Sequence, residues 1–254
     1  MKGKGKRRNS SGQLMIVTAL AIAVLIVSTT VYVYENTRVM EPLEDPLIGL
    51  FIESVKQSSK NAVISALANV SNGGTSSIFT ENIEQLAQAY LNLKSREMYH
   101  LQYTLREDAK YSSGFWIFWG NSGFGVSSAY ANFTLKVYGL ASKINIAYAI
   151  NVTTAIMLEG YYSLIETGKN VTLTCRVFNE DAAGLAQQIF IYYRNTTGTW
   201  EPVNAGSLSQ KDYGNGTYVF SFIAPSDLEP VDASAHVLDT RGIYVRANVT
   251  CHEA

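Results

Sequence analysis

With 20 basic against 21 acidic side chains in 254 residues and a formal net charge of −1, the chain carries no positive excess of the kind that would direct it to nucleic acid. Charged residues make up only 16%, and the one basic cluster stands at the extreme N-terminus, where topology and anionic lipid account for it.

The first element is LMIVTALAIAVLIVSTTVYVY (Leu14–Tyr34), which contains no charged residue. As a helix it would be roughly 31 Å long, about the thickness of a bilayer's hydrocarbon core. A transmembrane helix is therefore predicted over residues 13–35, with Tyr32 and Tyr34 suited to the interface. Residues 1–12 form a basic tail (Lys2, Lys4, Lys6, Arg7, Arg8), so the positive-inside rule keeps the N-terminus cytoplasmic and sends the rest outside. Small-x-small sites such as Ala19-x-Ala21 lie within the apolar run rather than at its end, which favours a retained single-pass anchor over a cleaved signal. Ala19 and Ala23 offer a small-residue face for self-association in the membrane.

A polar linker over 36–46 follows, and Pro42 and Pro46 interrupt any continuing helix. Asp45-Pro46 makes a good helix start, and Ile48, Ile52, Val55, Ser59, Ala62, Val63 and Ala66 repeat at helical spacing as far as the Asn72-Gly73-Gly74 stop. A second helix is expected after Thr80, with Ile83, Leu86, Ala87, Tyr90 and Leu91 as its apolar stripe. From about His100 the period becomes two. His100–Arg106, the wholly apolar FWIFW (Phe115–Trp119) and two long strands joined at Gly139 predict an antiparallel meander covered by the helical pair, which together form a domain over 47–158. FWIFW is expected to be buried on both faces. GNSGFG (Gly120–Gly125) connects strands, so it reads as a hairpin turn rather than a phosphate loop.

Residues 159–254 predict an all-β sandwich of about seven strands: NVTLTCRVFN, QQIFIYYRN, TWEPVN, GTYVFSFIAP, ASAHVLDT and GIYVRANVTC stand out between turn signals. Cys175 and Cys251 both fall on the apolar register of their strands, so a bridge across two packed sheets is expected in an oxidising exterior. Asn-X-Ser/Thr occurs at Asn69, Asn132, Asn151, Asn170, Asn195, Asn215 and Asn248, all on the expected outside. Alternation places Asn132, Asn151, Asn170 and Asn248 opposite the apolar side chains of their strands, while Asn195 and Asn215 fall in turn sequences. N-glycosylation is expected at several of these sites.

Two resemblances follow from these stretches. DYGNGTYVFSFIAP (Asp212–Pro225) resembles the D-x-G-n-G-t-Y-x-F-x-F-x-A-P signature of bacterial and archaeal immunoglobulin-like domains of surface proteins, which implies a spacer or adhesive module. RRNSSGQLMIV is similar to the leader of archaeal type IV pilin-like proteins, which implies cleavage between Gly12 and Gln13 and packing of the apolar helix into a filament core.

No catalytic, metal or cofactor motif accompanies these elements. His100, His236 and His252 stand in no nucleophile motif. Cys251-His252-Glu253 lacks the second ligand pair of a zinc site, and Asn179-Glu180-Asp181 reads as a solvated turn. The expectation is a non-enzymatic, single-pass, glycosylated surface protein of the cell membrane: a transmembrane helix, then an α+β ectodomain ending in an immunoglobulin-like sandwich. Its role would be structural or adhesive, its partners the lipid bilayer and other envelope proteins or glycans. A pilin-like subunit and an accessory ectodomain of a membrane sensor or transport complex are the alternatives.

Overall fold

The computed structural model describes residues 46–92, 98–138, 143–225, 227–228 and 230–254. The basic tail, the expected membrane span, the cut at Gly12/Gln13 and the turn at Gly139 lie outside them. Among the described residues no helix is long and apolar enough to cross a membrane.

Residues 53–254 form one compact unit of mainly antiparallel β structure with a helical pair. Helix α1 (Pro46–Ser71) runs from the expected start at Pro46 to the expected stop at Asn72-Gly73-Gly74. Helix α2 (Ser77–Asn92) starts three residues before Thr80. The earlier start puts Phe79 and Ile83 one turn apart on the same face, and both are fully buried. The Tyr90 hydroxyl donates to Ser58 Oγ at 2.9 Å and joins the two helices.

Strands β1 (Met98–Leu105) and β2 (Phe115–Trp119) both pair with the same edge of β3 (Phe124–Tyr138). The expected meander therefore departs from sequential order, because β3 is long enough to hold both short strands end to end. FWIFW is not buried on both faces. Phe115 packs under the helices, but Phe118 is half exposed, since β2 is an edge strand with one pairing partner.

The 23-residue β4 (Lys143–Ile165) pairs through Lys143–Met157 with β3 and through Thr154–Ile165 with β5 (Gly168–Asn179). The boundary expected between residues 158 and 159 thus falls inside one unbroken strand. Beyond β5 the nine-stranded sheet continues through β10 (Thr217–Ala224) to β9 (Ser209–Asp212), with β6 (Ala182–Ala183) beside β5. A second sheet runs in the order β12 (Tyr244–Thr250), β11 (Asp232–Asp239), β7 (Ala186–Arg194), β8 (Trp200–Pro202). After β12 the chain crosses back to the first sheet, where β13 (His252–Glu253) pairs in parallel with β4.

One face of the large sheet is therefore covered by two different layers. Ile150 and Val152 of β4 pack with Val63, Ala66 and Leu67 of α1 and with Phe79 and Ile83 of α2. Ile156 and Leu158, on the same side of the same strand, pack with β5 and β10 against Ala233, Ala235 and Val237 of β11 and Val245 and Ala247 of β12. The β2–β3 hairpin laces the two sheets together: Asn248 N donates to Gly120 O at 2.9 Å, Gly123 N to Asn248 O at 2.8 Å, and Leu158 N to Gly123 O at 2.7 Å. Glycine is required for that approach. A Cβ on Gly123 would collide with the Leu158 carbonyl, and one on Gly125 with the Arg246 carbonyl.

Gly125→Ala is expected to lower stability by about 2–3 kcal/mol, because backbone rather than a flexible side chain must yield. Gly206→Ala, in an open loop whose nearest neighbour is the Asn204 side chain at 3.5 Å, should leave the melting temperature unchanged. Thermal denaturation of the two variants tests the contrast.

Candidate functional site

The sequon asparagines occupy the solvent side of the fold. Asn69 is exposed near the end of α1, and Asn215 is exposed in the β9–β10 turn. Asn132, Asn151 and Asn170 stand on β3, β4 and β5, paired with Ala149, Tyr130 and Ser163. In an antiparallel sheet directly paired residues share a face, so all three lie on the side of the nine-stranded sheet opposite the helices and the second sheet. All three are exposed. At Asn132 and Asn151 the carboxamide oxygen accepts from neighbouring hydroxyls, those of Tyr130 at 3.4 Å and Ser128 at 3.3 Å. At Asn195 and Asn248 the amide nitrogen donates one hydrogen bond, to Glu201 Oε1 at 2.5 Å and to Asn121 Oδ1 at 2.8 Å.

Cys175 and Cys251 lie in one core cluster and are free thiols in this structure. Cys251 sits at the corner where the chain changes sheets, its N–H bonded to Val231 O at 2.8 Å. Its sulfur fills the space over Gly160, 2.5 Å from where a Cβ would stand. Burial pushes both thiols up to about 12, so neither is a nucleophile at neutral pH.

Asn179-Glu180-Asp181 is part of a polar seam where the two covering layers meet. Asp239 is fully buried and accepts from Thr154 Oγ1 at 2.8 Å, Arg241 Nε at 2.9 Å and Ile243 N at 2.9 Å. Arg241 also donates to Glu180 Oε1 at 2.6 Å and to Thr153 O at 2.9 Å. Each charge is met by partners, which is the arrangement of a fastening rather than of a reactive centre. Among the described residues no group of three His, Cys, Asp or Glu is placed to hold a metal ion.

The outer face of the smaller sheet carries a different chemistry. Tyr192 and His236 rings lie 4.4 Å apart, and Tyr244 meets His236 edge-on at 5.7 Å and Trp119 at 5.2 Å. His236 Nδ1 is 2.9 Å from the Tyr244 hydroxyl, and Arg246 lies over the Trp119 ring at 5.0 Å. Burial, aided by the Arg246 charge, lowers the His236 pKa to about 4, so the ring is neutral at pH 7. At one end of this face a cavity of 340 Å³ is lined by Asn121, Arg194, Trp200, Asp232, Asn248 and Thr250, with Val249 at its base. Arg194 and Asp232 stand 3.7 Å apart, and Thr250 Oγ1 donates to Asp232 Oδ1 at 2.7 Å. Sequence reading missed this groove, because its residues are scattered from 121 to 250 and only strand register assembles them. The one local signal is the alternation of Phe190, Tyr192 and Arg194 on the outward side of β7. No known protein family matches the chain and no curated protein is similar to it.

Arg241→Met should cost about 3 kcal/mol by leaving the Asp239 carboxylate buried beside no cation. Adding Asp239→Asn should recover part of that loss, as read in a double-mutant cycle of denaturant unfolding. For His236 the folded pKa lies below the unfolded value near 6.5, so the unfolded chain binds the proton more readily. Its contribution to stability is present above pH 6.5 and lost as pH falls toward 4. Wild-type stability should therefore fall more steeply over that window than that of His236→Gln, by about 1–2 kcal/mol after allowance for partial exposure.

Proposed function

We propose that this chain is a non-enzymatic, membrane-anchored, glycosylated cell-surface protein with a structural or adhesive role at the envelope. The β-sandwich half serves as an immunoglobulin-like module, and the Leu14–Tyr34 segment holds it to the membrane with the N-terminus inside. The observation that carries the reading is the alignment of Asn132, Asn151 and Asn170, all exposed, on three adjacent strands of the sheet face that neither the helices nor the second sheet covers. A wide, open sheet face is an aggregation hazard unless it is polar or covered, and glycans rooted at those three positions would cover it. The bilayer and other envelope proteins or glycans are the partners this role requires. In an oxidising exterior the two core thiols, Cys175 and Cys251, would close into a bridge.

A pilin-like subunit, cut between Gly12 and Gln13 and assembled through its apolar helix, is the second reading; RRNSSGQLMIV favours it.

Intact-mass analysis and N-terminal sequencing of protein extracted from native membranes test both readings. The expected result is a mass above that of the polypeptide, falling stepwise when Asn132, Asn151 and Asn170 are each replaced by Gln, with the basic tail retained. A mature chain beginning at Gln13 would favour the pilin reading, and a protein recovered outside the membrane with bare asparagines would defeat both.

A further inference from the structure

We infer that the groove bounded by Trp200 of β8, Arg194 of β7, Asp232 of β11 and Asn248 of β12 is a carbohydrate-binding site, with one neutral pyranose seated on the Trp200 indole. The inference rests on the adhesive reading above and names the partner class it would recognise.

Three properties of the groove lead there. Its volume of 340 Å³ falls at the small end of the range for small-molecule pockets, about 300–1,000 Å³, which suits a single ring and not an extended apolar ligand. One wall is a flat aromatic side chain left 38% exposed, while the others are a carboxylate, a guanidinium, two carboxamides and a hydroxyl. A pyranose has the matching duality: a patch of C–H groups that lies against an indole face, and a rim of hydroxyls that each donate and accept. Planar groups such as Asp232, Arg194, Asn121 and Asn248 engage neighbouring hydroxyls in pairs.

Charge decides between ligand classes. Asp232 stands 3.7 Å from Arg194, so the groove holds one negative and one positive charge and carries no net charge. A phosphate would meet the Asp232 carboxylate, a cation would meet the guanidinium, and a wholly apolar group would strand both. A neutral polyhydroxyl ligand satisfies both. The pair is also loosely spaced, leaving room for a hydroxyl to bridge it. The Asn248–Asn121 bond spends one amide proton of Asn248 and an acceptor of Asn121, so Asn248 Oδ1 and Asn121 Nδ2 retain capacity toward the groove.

The position of Asn248 adds a constraint. It is a sequon residue lining the groove, and a glycan attached there would fill the space a ligand needs. The inference therefore requires Asn248 to be unmodified, so that the groove stays open.

The test is titration of the full-length protein in detergent with a panel of neutral sugars: glucose, mannose, galactose, N-acetylglucosamine and their short oligomers. It is followed by tryptophan emission and calorimetry. A saturable response to at least one sugar is expected. Trp200→Phe should abolish the emission change, and Trp200→Ala should weaken binding at least tenfold. Asp232→Asn and Arg194→Met should each weaken it several-fold, whereas Phe118→Ala, an exposed aromatic on β2, should not. Near-UV circular dichroism verifies that each variant keeps its fold. No response across the panel, binding that survives Trp200→Ala, or a glycopeptide mapping to Asn248 would each overturn the inference. A glycosylated membrane protein that ignores every sugar would sink the groove alone; a bare, membrane-free protein that still binds sugar through Trp200 would sink the envelope reading alone.

Discussion

The fold depends on a single strand that must bury the same face against two unlike layers. From Ile144 to Gly160 the even-numbered residues of β4 all point inward. The first part of that face meets helices and the later part meets a sheet. Helices and sheets stand off from a neighbouring sheet by similar distances but offer differently spaced side chains, so the junction cannot be closed by apolar packing alone. Thr154 sits at that junction, and the Asp239–Arg241–Glu180 cluster fills it with hydrogen bonds. The end of α1 is drawn in as well: Tyr244 N donates to Ser71 Oγ at 3.0 Å, and Asn72 Nδ2 to Gly242 O at 3.0 Å.

The close approach of the second sheet follows from the same requirement. Gly125 removes the Cβ that would hold β12 away, Gly123 lets the hairpin close on the Leu158 carbonyl of β4, and Gly160 makes room for the Cys251 sulfur. The inward face of β4 is thereby buried at its even positions from Ile150 to Gly160. The opposite face of the large sheet is covered by neither layer, although Tyr111 packs over Ser128 there, and that asymmetry separates the molecule's two chemistries. Sequons and small polar residues stand on that face beside exposed Met157, Tyr161 and Ile223, whereas stacked aromatics and a polar groove occupy the outside of the smaller sheet.

Much of this architecture was legible in the sequence, and the exceptions have physical causes. The limits of α1 were written in Pro46 and in Asn72-Gly73-Gly74, local signals that tertiary context did not override. Alternation placed Asn132, Asn151 and Asn170 on the correct face because each stands among β-branched and aromatic neighbours whose burial is unambiguous. The continuity of β4 was hidden because Gly160 and the following tyrosines look like punctuation, although the glycine's purpose is to admit a sulfur atom. The all-exposed β9 and the two-residue β6 and β13 carry no apolar period to detect. The FWIFW run misled because periodicity cannot tell a central strand from an edge strand covered on one side. The groove at Trp200 was beyond any local pattern, since its walls come from five separate segments.

At about 3.3 Å per residue, the 23 residues of β4 reach roughly 75 Å when fully extended. That strand is shared by the helix-covered and sheet-covered halves: β3 pairs with it over Lys143–Met157 and β5 over Thr154–Ile165, and the two ladders overlap from Thr154 to Met157. A load applied along β4 would therefore pass from the β3 ladder to the β5 ladder through that four-residue overlap, inside one continuous segment of chain.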